Sequence, residues 1–178
     1  MTSAIPAVFA DEISIETSSP KIGELCENGL YLISETETVL EDGIVVIDRL
    51  YSDIPDSDVN LLATHGTRKF KGTKDFVEKV NKVDTLIVTL TLEASFNWNT
   101  TADTVTVIES SIDPHEDVYT NVSVDDKKIE HDDNQGATFF FGYKYAYVRY
   151  TVTLKNYAGI KRDYIYIDVN VIGVASQA

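Results

Sequence analysis

The chain has 178 residues, 43% of them hydrophobic, with a single cysteine, Cys26. That balance is globular and long enough to bury a core without a metal or a disulfide framework, and one cysteine excludes both an internal disulfide and a thiolate zinc cluster. Fifteen Lys and Arg against 29 Asp and Glu leave a net charge of -14, which repels phosphate backbones and anionic lipid surfaces and so argues against nucleic acid and membrane docking.

Residues 1–10, MTSAIPAVFA, carry small residues at Val8 and Ala10 ahead of the acidic Asp11-Glu12. A signal peptidase reads that pattern, so 1–10 are expected to be the remnant of a secretory signal cleaved after Ala10, a plain N-terminal tail being the alternative. Residues 11–178 are then one all-β domain, with a sub-boundary near residue 82 as an option. No stretch approaches the ~18 apolar residues of a spanning helix, and no membrane span is expected.

Ile13 and Ile15 alternate as in an edge strand, and Gly29 to Ile33 is a short apolar run. Thr36 to Leu40, Glu41-Asp42-Gly43 and Ile44 to Tyr51 read as a hairpin, because Asp-Gly supplies the positive φ angles that a tight turn needs. Ser52 to Ser57 is a loop by composition, and Asp58 to Thr64 fits a helical turn or a strand equally. Arg68 to Lys82 fits either an amphipathic turn through Phe76, Val77 and Val80 or an exposed strand.

The clearest stretch is Thr85 to Asn99. Leu86, Val88, Leu90, Leu92, Ala94, Phe96 and Trp98 share one parity and polar residues fill most of the other, which predicts a strand with one face in a core. Its length suggests a bend near Ala94-Ser95. Thr104 to Ile108 reads as a returning strand, Ser110 to Asp117 with Pro114 as a loop, Val118 to Val124 as a strand, and Asp125 to Gly136 as a polar loop. Ala137 to Lys155 is an aromatic strand, Asn156 to Gly159 a turn, and Arg162 to Ile172 a last strand with Ile165, Ile167, Val169 and Val171 on one face. Short strands with almost no helical period predict an all-β fold, an immunoglobulin-like antiparallel β-sandwich of roughly seven to nine strands. Charge is uneven: Asp113 to Asp133 is acidic and Gly142 to Asp163 basic, so the two neutralise each other if they meet.

The order of these features resembles a group of small secreted proteins, common in Clostridia and related Firmicutes, that lack an assigned activity. The resemblance rests on Ala4 to Ala10, the Leu40-Glu41-Asp42-Gly43 hairpin, the Lys- and Thr-bearing segment Gly66 to Phe76, and Ser95-Phe96-Asn97-Trp98-Asn99. It implies secretion and a β-sandwich and carries no catalytic residue over. Many members of that group carry cysteines that would staple the central and last strands, and the corresponding regions here, Thr101 to Val107 and Tyr166 to Asn170, have none.

Three kinds of site can be weighed. Asp113, Glu116 and Asp117, then Asp132 and Asp133, lie in two predicted loops flanking one strand, where their oxygens could converge on calcium. Solvated loop acids are the simpler reading, and no other cofactor is expected. His115 and His131 lack a zinc-binding spacing, His65 reads as a turn residue, and the catalytic signatures Gly-x-Ser-x-Gly and His-Glu-x-x-His are absent, so no enzyme is expected. Tyr143, Tyr145 and Tyr147 share one face of a strand; such a stripe ordinarily packs in a core, and the alternative is a binding face for glycan or protein. The expected role is non-catalytic binding by a secreted or cell-surface protein, with a carbohydrate-binding module or an unrecognised extracellular hydrolase as alternatives.

Overall fold

The computed structural model describes residues 21–55, 64–80, 83–136, 143–156, 159–170 and 172–177. The expected signal remnant, the strand at Ile13 and Ile15, most of Asp58 to Thr64 and the phenylalanines 139–141 lie outside these residues. Ten strands and one 3₁₀ turn are described, somewhat more strands than the alternation alone resolves.

β1 (Tyr31–Val39) and β2 (Val45–Ser52) form the expected hairpin. Gly43 takes φ +82°, and the Asp42 carboxylate accepts the Ile44 amide at 3.2 Å. β3 (His65–Val80) and β4 (Val83–Asn99) make the longest ladder, each strand reaching roughly 50 Å at ~3.3 Å per residue. The ambiguous stretch from Arg68 is therefore a strand, and Val80 pairs with Val83 at the end of this hairpin; the optional sub-boundary near residue 82 lies outside the described residues.

β4 runs as one strand through Ala94-Ser95, the place of the expected bend. What changes at that point is its neighbour: Phe96 to Asn99 pair with β5 (Thr104–Val107), and Val88 to Glu93 pair with β6 (Asp113–Val118). The 3₁₀ turn Glu109–Ser111 carries the chain between them, with Ser95 accepting the Ile108 amide and donating its own to Ser111 Oγ. Its register irregularity lies at Ile87, an extra residue opposite Phe76/Val77 that leaves both Ile87 and Val88 buried.

Two predicted loops are strands. β6 contains Pro114, tolerated because this edge strand pairs only with β4 among the described residues. β7 (Ser123–Gln135) replaces the polar loop, while the predicted strand Val118 to Val124 is broken by a turn after Val118. β7 is mostly exposed and therefore carries no hydrophobic alternation; Asp126 and Asn134 sit at φ 50° where it bulges. β8 (Tyr145–Asn156), β9 (Gly159–Asn170) and β10 (Ala175–Gln177) follow.

The result is a sandwich of two antiparallel sheets, β1-β2-β3-β4 with β5 and β6 sharing the far edge of β4, and β10-β9-β8-β7. Strands follow one another as meanders, so the likeness to an immunoglobulin domain extends to the two packed sheets and not to its Greek-key strand order. The acidic and basic segments do meet, as neighbouring strands β7 and β8, with Asp125 3.0 Å from Lys155.

Register across the larger sheet sets the core in rows: Val46, Phe76 and Val88; Leu50, Gly72 and Leu92; Ser52, Phe70 and Ala94; Arg68, Phe96 and Val107; Gly66, Trp98 and Val105. Ala146, Val148, Tyr150, Val152 and Leu154 of β8 and Ile165, Ile167 and Val169 of β9 cover them. Two members of that face are cationic. Arg68, 1% exposed, donates to Ser52 Oγ and to the carbonyls of Ile54 and Gly173, and lies 4.8 Å from the Phe70 ring centre. Lys74 occupies a charged row with Asp48, Leu90 and Glu116.

Candidate functional site

Burying the even residues of β8 turns its odd residues outward, and the same logic turns the even residues of β9 out. The strand register then places Tyr147 beside Asp168, Arg149 beside Tyr166, and Thr151 beside Tyr164. The tyrosine stripe therefore does not pack in the core; the small and branched residues Ala146, Val148 and Val152 take that side with Tyr150. Tyr145 and Tyr147 are half-buried on the open face, whereas Tyr143 is exposed just before β8.

These rings form a connected group. Tyr145 and Tyr147 are 6.5 Å apart between centres and tilted by 35°, and Tyr147 and Tyr166 are 5.3 Å apart and tilted by 31°. The Arg149 guanidinium lies 5.3 Å from the Tyr164 ring centre and 5.4 Å from that of Tyr166. Among the described residues it forms no ion pair, and its Nε is buried without a hydrogen-bond partner. A cation held against two aromatic faces in this way is favourable by about 0.5 to 2 kcal/mol, depending on its desolvation. Glu130, Asp132 and Asp168 rim the group in register. Burial raises the Tyr166 hydroxyl pKa far above its usual value, and the Asp168 carboxylate adds to the shift. Burial also holds the Asp168 carboxyl above its usual range, opposed by the bond from Ser176 Oγ at 2.5 Å.

Tyr164, Tyr166 and Arg149 complete the site and were not singled out from sequence. The alternation of Ile165, Ile167 and Val169 already implies that Tyr164 and Tyr166 point the other way. Their pairing with Tyr147 and Arg149 depends on register alone.

The five acids considered for calcium separate into four places. Asp113 and Asp117 lie on the outer face of β6, where Asp117 takes His115 Nε2 at 3.0 Å. Glu116 faces inward, accepting from Tyr150 OH at 2.9 Å and pairing with Lys127. Asp132 is beside Tyr147 on the outer face of the other sheet, and Asp133 Oδ1 accepts the Val107 amide at 2.7 Å. Asn134 does the same for Val105, so β7 closes the free edge of β5 with side chains. Among the described residues no three His, Cys, Asp or Glu side chains gather as a metal site.

On the outer face of the larger sheet a hollow of about 360 Å³ is lined by His65, Thr67, Asn97, Asn99, Thr104 and Thr106 over Gly66 and Trp98. Thr67 Oγ1 donates to Asn97 Oδ1 at 2.6 Å. His65 thus opens β3 rather than sitting in a turn, with its Nδ1 3.2 Å from Thr64 Oγ1. The hollow offers amide and hydroxyl groups and no carboxylate pair for acid–base work. No helix of the described residues is long and apolar enough to cross a membrane. Comparison of the chain with known protein families, with curated proteins and with solved structures finds no match.

Proposed function

We propose that the protein is a non-catalytic recognition module, secreted or held at a cell surface, that binds a partner through the outer face of β8 and β9. The observation that carries this reading is the outward cluster of Tyr145, Tyr147 and Tyr166 with Arg149 stacked on Tyr164 and Tyr166. Tyrosine and arginine supply large contact area with few rotors and are enriched where interfaces concentrate their binding energy. The rings are tilted against one another instead of lying flat side by side, which favours a protein surface over a stacked sugar chain. The rim of Glu130, Asp132 and Asp168, with the net charge of -14, favours a neutral or basic partner. The extracellular setting rests on Val8-Phe9-Ala10 ahead of Asp11.

Wild type and a Tyr147→Ser/Tyr166→Ser variant, matched for folding by circular dichroism, are compared on a glycan array and in pull-downs from cell-surface extracts. A captured protein lost in the variant supports the reading, and a glycan lost in the variant supports the carbohydrate-binding alternative at the same face. Undiminished binding by the folded variant removes this face as the site, and turnover of any substrate overturns the non-enzyme reading. N-terminal sequencing of exported protein is expected to begin at Asp11.

A further inference from the structure

Between the sheets, one amine and two carboxyls meet in a place where an isolated ion would be costly. Lys74 of β3 is 7% exposed. Its Nζ lies 3.1 Å from Asp163 Oδ1 on β9 of the opposite sheet and 3.4 Å from Asp48 Oδ1 on the neighbouring β2. The side chains of Asp163 and Asp48 are 15% and 21% exposed, and the Tyr164 ring stands 5.3 Å from the Lys74 amine. Asp48 Oδ1 is buried with no hydrogen-bond partner among the described residues, and the Lys74 amine lies 3.4 Å from it. Of the other groups facing the cluster, Lys161 reaches Asp163 Oδ2 at 3.2 Å from a more exposed position, and Asp75 acts on Asp48 through its charge.

We propose that Lys74 and Asp163 join in an intramolecular amide that covalently links the two sheets, with Asp48 as the acid–base group for its formation. The proton balance is closed within the cluster. A proton passes from the ammonium to the Asp163 carboxylate, leaving a neutral amine beside a neutral acid; the Nζ lone pair attacks Asp163 Cγ while Asp48 protonates the carbonyl oxygen. The tetrahedral centre collapses, the Cγ–O bond of one hydroxyl breaks and that hydroxyl leaves as water with a proton from nitrogen, while the other hydroxyl returns its proton to Asp48 as the amide carbonyl forms. No oxidant, metal or outside reactant is needed.

Three features favour this over a lasting ion pair. The Lys74 amine is held 3.1 Å from Asp163 Oδ1, a fixed contact in which alignment replaces a bimolecular encounter. Condensation removes the charges of a largely buried ion pair and releases one water. Burial keeps the Asp48 carboxyl above its ordinary range despite the pull of Lys74, which suits it to deliver a proton. Lys161 is the rival amine; it lies two residues from Asp163 on the same strand, so a bond from it would not join the sheets.

Intact-mass measurement of the full chain under denaturing conditions tests the proposal. The folded wild type is expected to be lighter than its sequence by one water, and tandem mass spectrometry of a digest is expected to show a branched peptide joining Lys74 to Asp163. Lys74→Arg keeps the cation but cannot form the amide, and is expected at full mass with a lower melting temperature. Folded wild type that stays at full mass after long incubation overturns the proposal. A water loss mapped instead to Lys161, or to a cyclic imide at Asp42-Gly43, overturns it equally; the wild-type peptide map decides the matter even where the variant does not fold.

Discussion

Gly173 lies against the indole of Trp98 so closely that a methyl group on its α-carbon would come within 2.7 Å of Trp98 Nε1. Gly66, paired with Trp98 across the β3–β4 ladder, is equally tight, a Cβ there meeting Trp98 Cζ2 at 2.9 Å. The ring thus fills the space that two glycines leave open, and Gly173 also needs its φ of +79°. Gly173→Ala is expected to destabilise by about 2 to 4 kcal/mol, overpacking adding to left-handed backbone strain. Gly66→Ala is expected to cost about 1 to 3 kcal/mol. Urea melts of both variants check the order.

Arg68 ties the end of β2 to the turn between β9 and β10, reaching Gly173, 105 residues further along the chain. Arg68→Ala leaves the buried Gly173 carbonyl, the part-buried Ile54 carbonyl and the Ser52 hydroxyl without their charged donor, each such bond contributing about 1.5 to 3 kcal/mol. The expected loss exceeds ~3 kcal/mol, read as a fall in the urea midpoint with little change in slope.

Phe96 is fully buried against Phe70, their centres 6.0 Å apart, so Phe96→Ala is expected to cost about 3 to 5 kcal/mol. Thr89 faces the other way and donates to Asp75 at 2.6 Å; Thr89→Ala is expected to cost only about 1 kcal/mol. Equal effects in thermal melts would contradict the assigned buried face.

Two carboxyls give opposite dependence on pH. Lys69 and Lys71 hold Glu93 below its ordinary 4.5 against the opposing effect of burial. Its stabilising contribution is therefore present above 4.5 and lost as pH falls through the lowered folded value. Asp168 is shifted up from 3.8 by burial, so its contribution is greatest below 3.8 and is lost as pH rises through the folded value. Glu93→Gln is expected to weaken the protein at pH 7 and not at pH 2. Asp168→Asn is expected to strengthen it at pH 7, with the gain gone at pH 3. Denaturant midpoints at those pH values test both signs.

Asp133 serves the Val107 amide, so Asp133→Ala is expected to cost about 1 kcal/mol by opening the β5–β7 edge, equally with and without calcium. A calcium-dependent rise in the wild-type melting temperature that this variant abolishes would restore the metal reading.

Alternation along the chain was enough to identify the strands whose one face is buried. Leu90 to Trp98 and Ile165 to Val169 announce both their conformation and their inward side, and Asp42-Gly43 announces its hairpin, because those signals are local. β6 and β7 look like loops in sequence because edge strands are held by backbone pairing and bury few side chains, leaving no hydrophobic period to detect. The tyrosines of β8 were assigned to the wrong side for a related reason. Both parities of that strand carry apolar side chains, and only packing against β4 decided that Val148 and Tyr150 go in while Tyr145 and Tyr147 go out. Arg68 and Lys74 look like surface cations in sequence, yet both are buried, because their partners arrive from Gly173 and Asp163, 105 and 89 residues away. Composition and period determine which segments extend; the pairing of distant segments determines which charges can be buried and which rings share a surface.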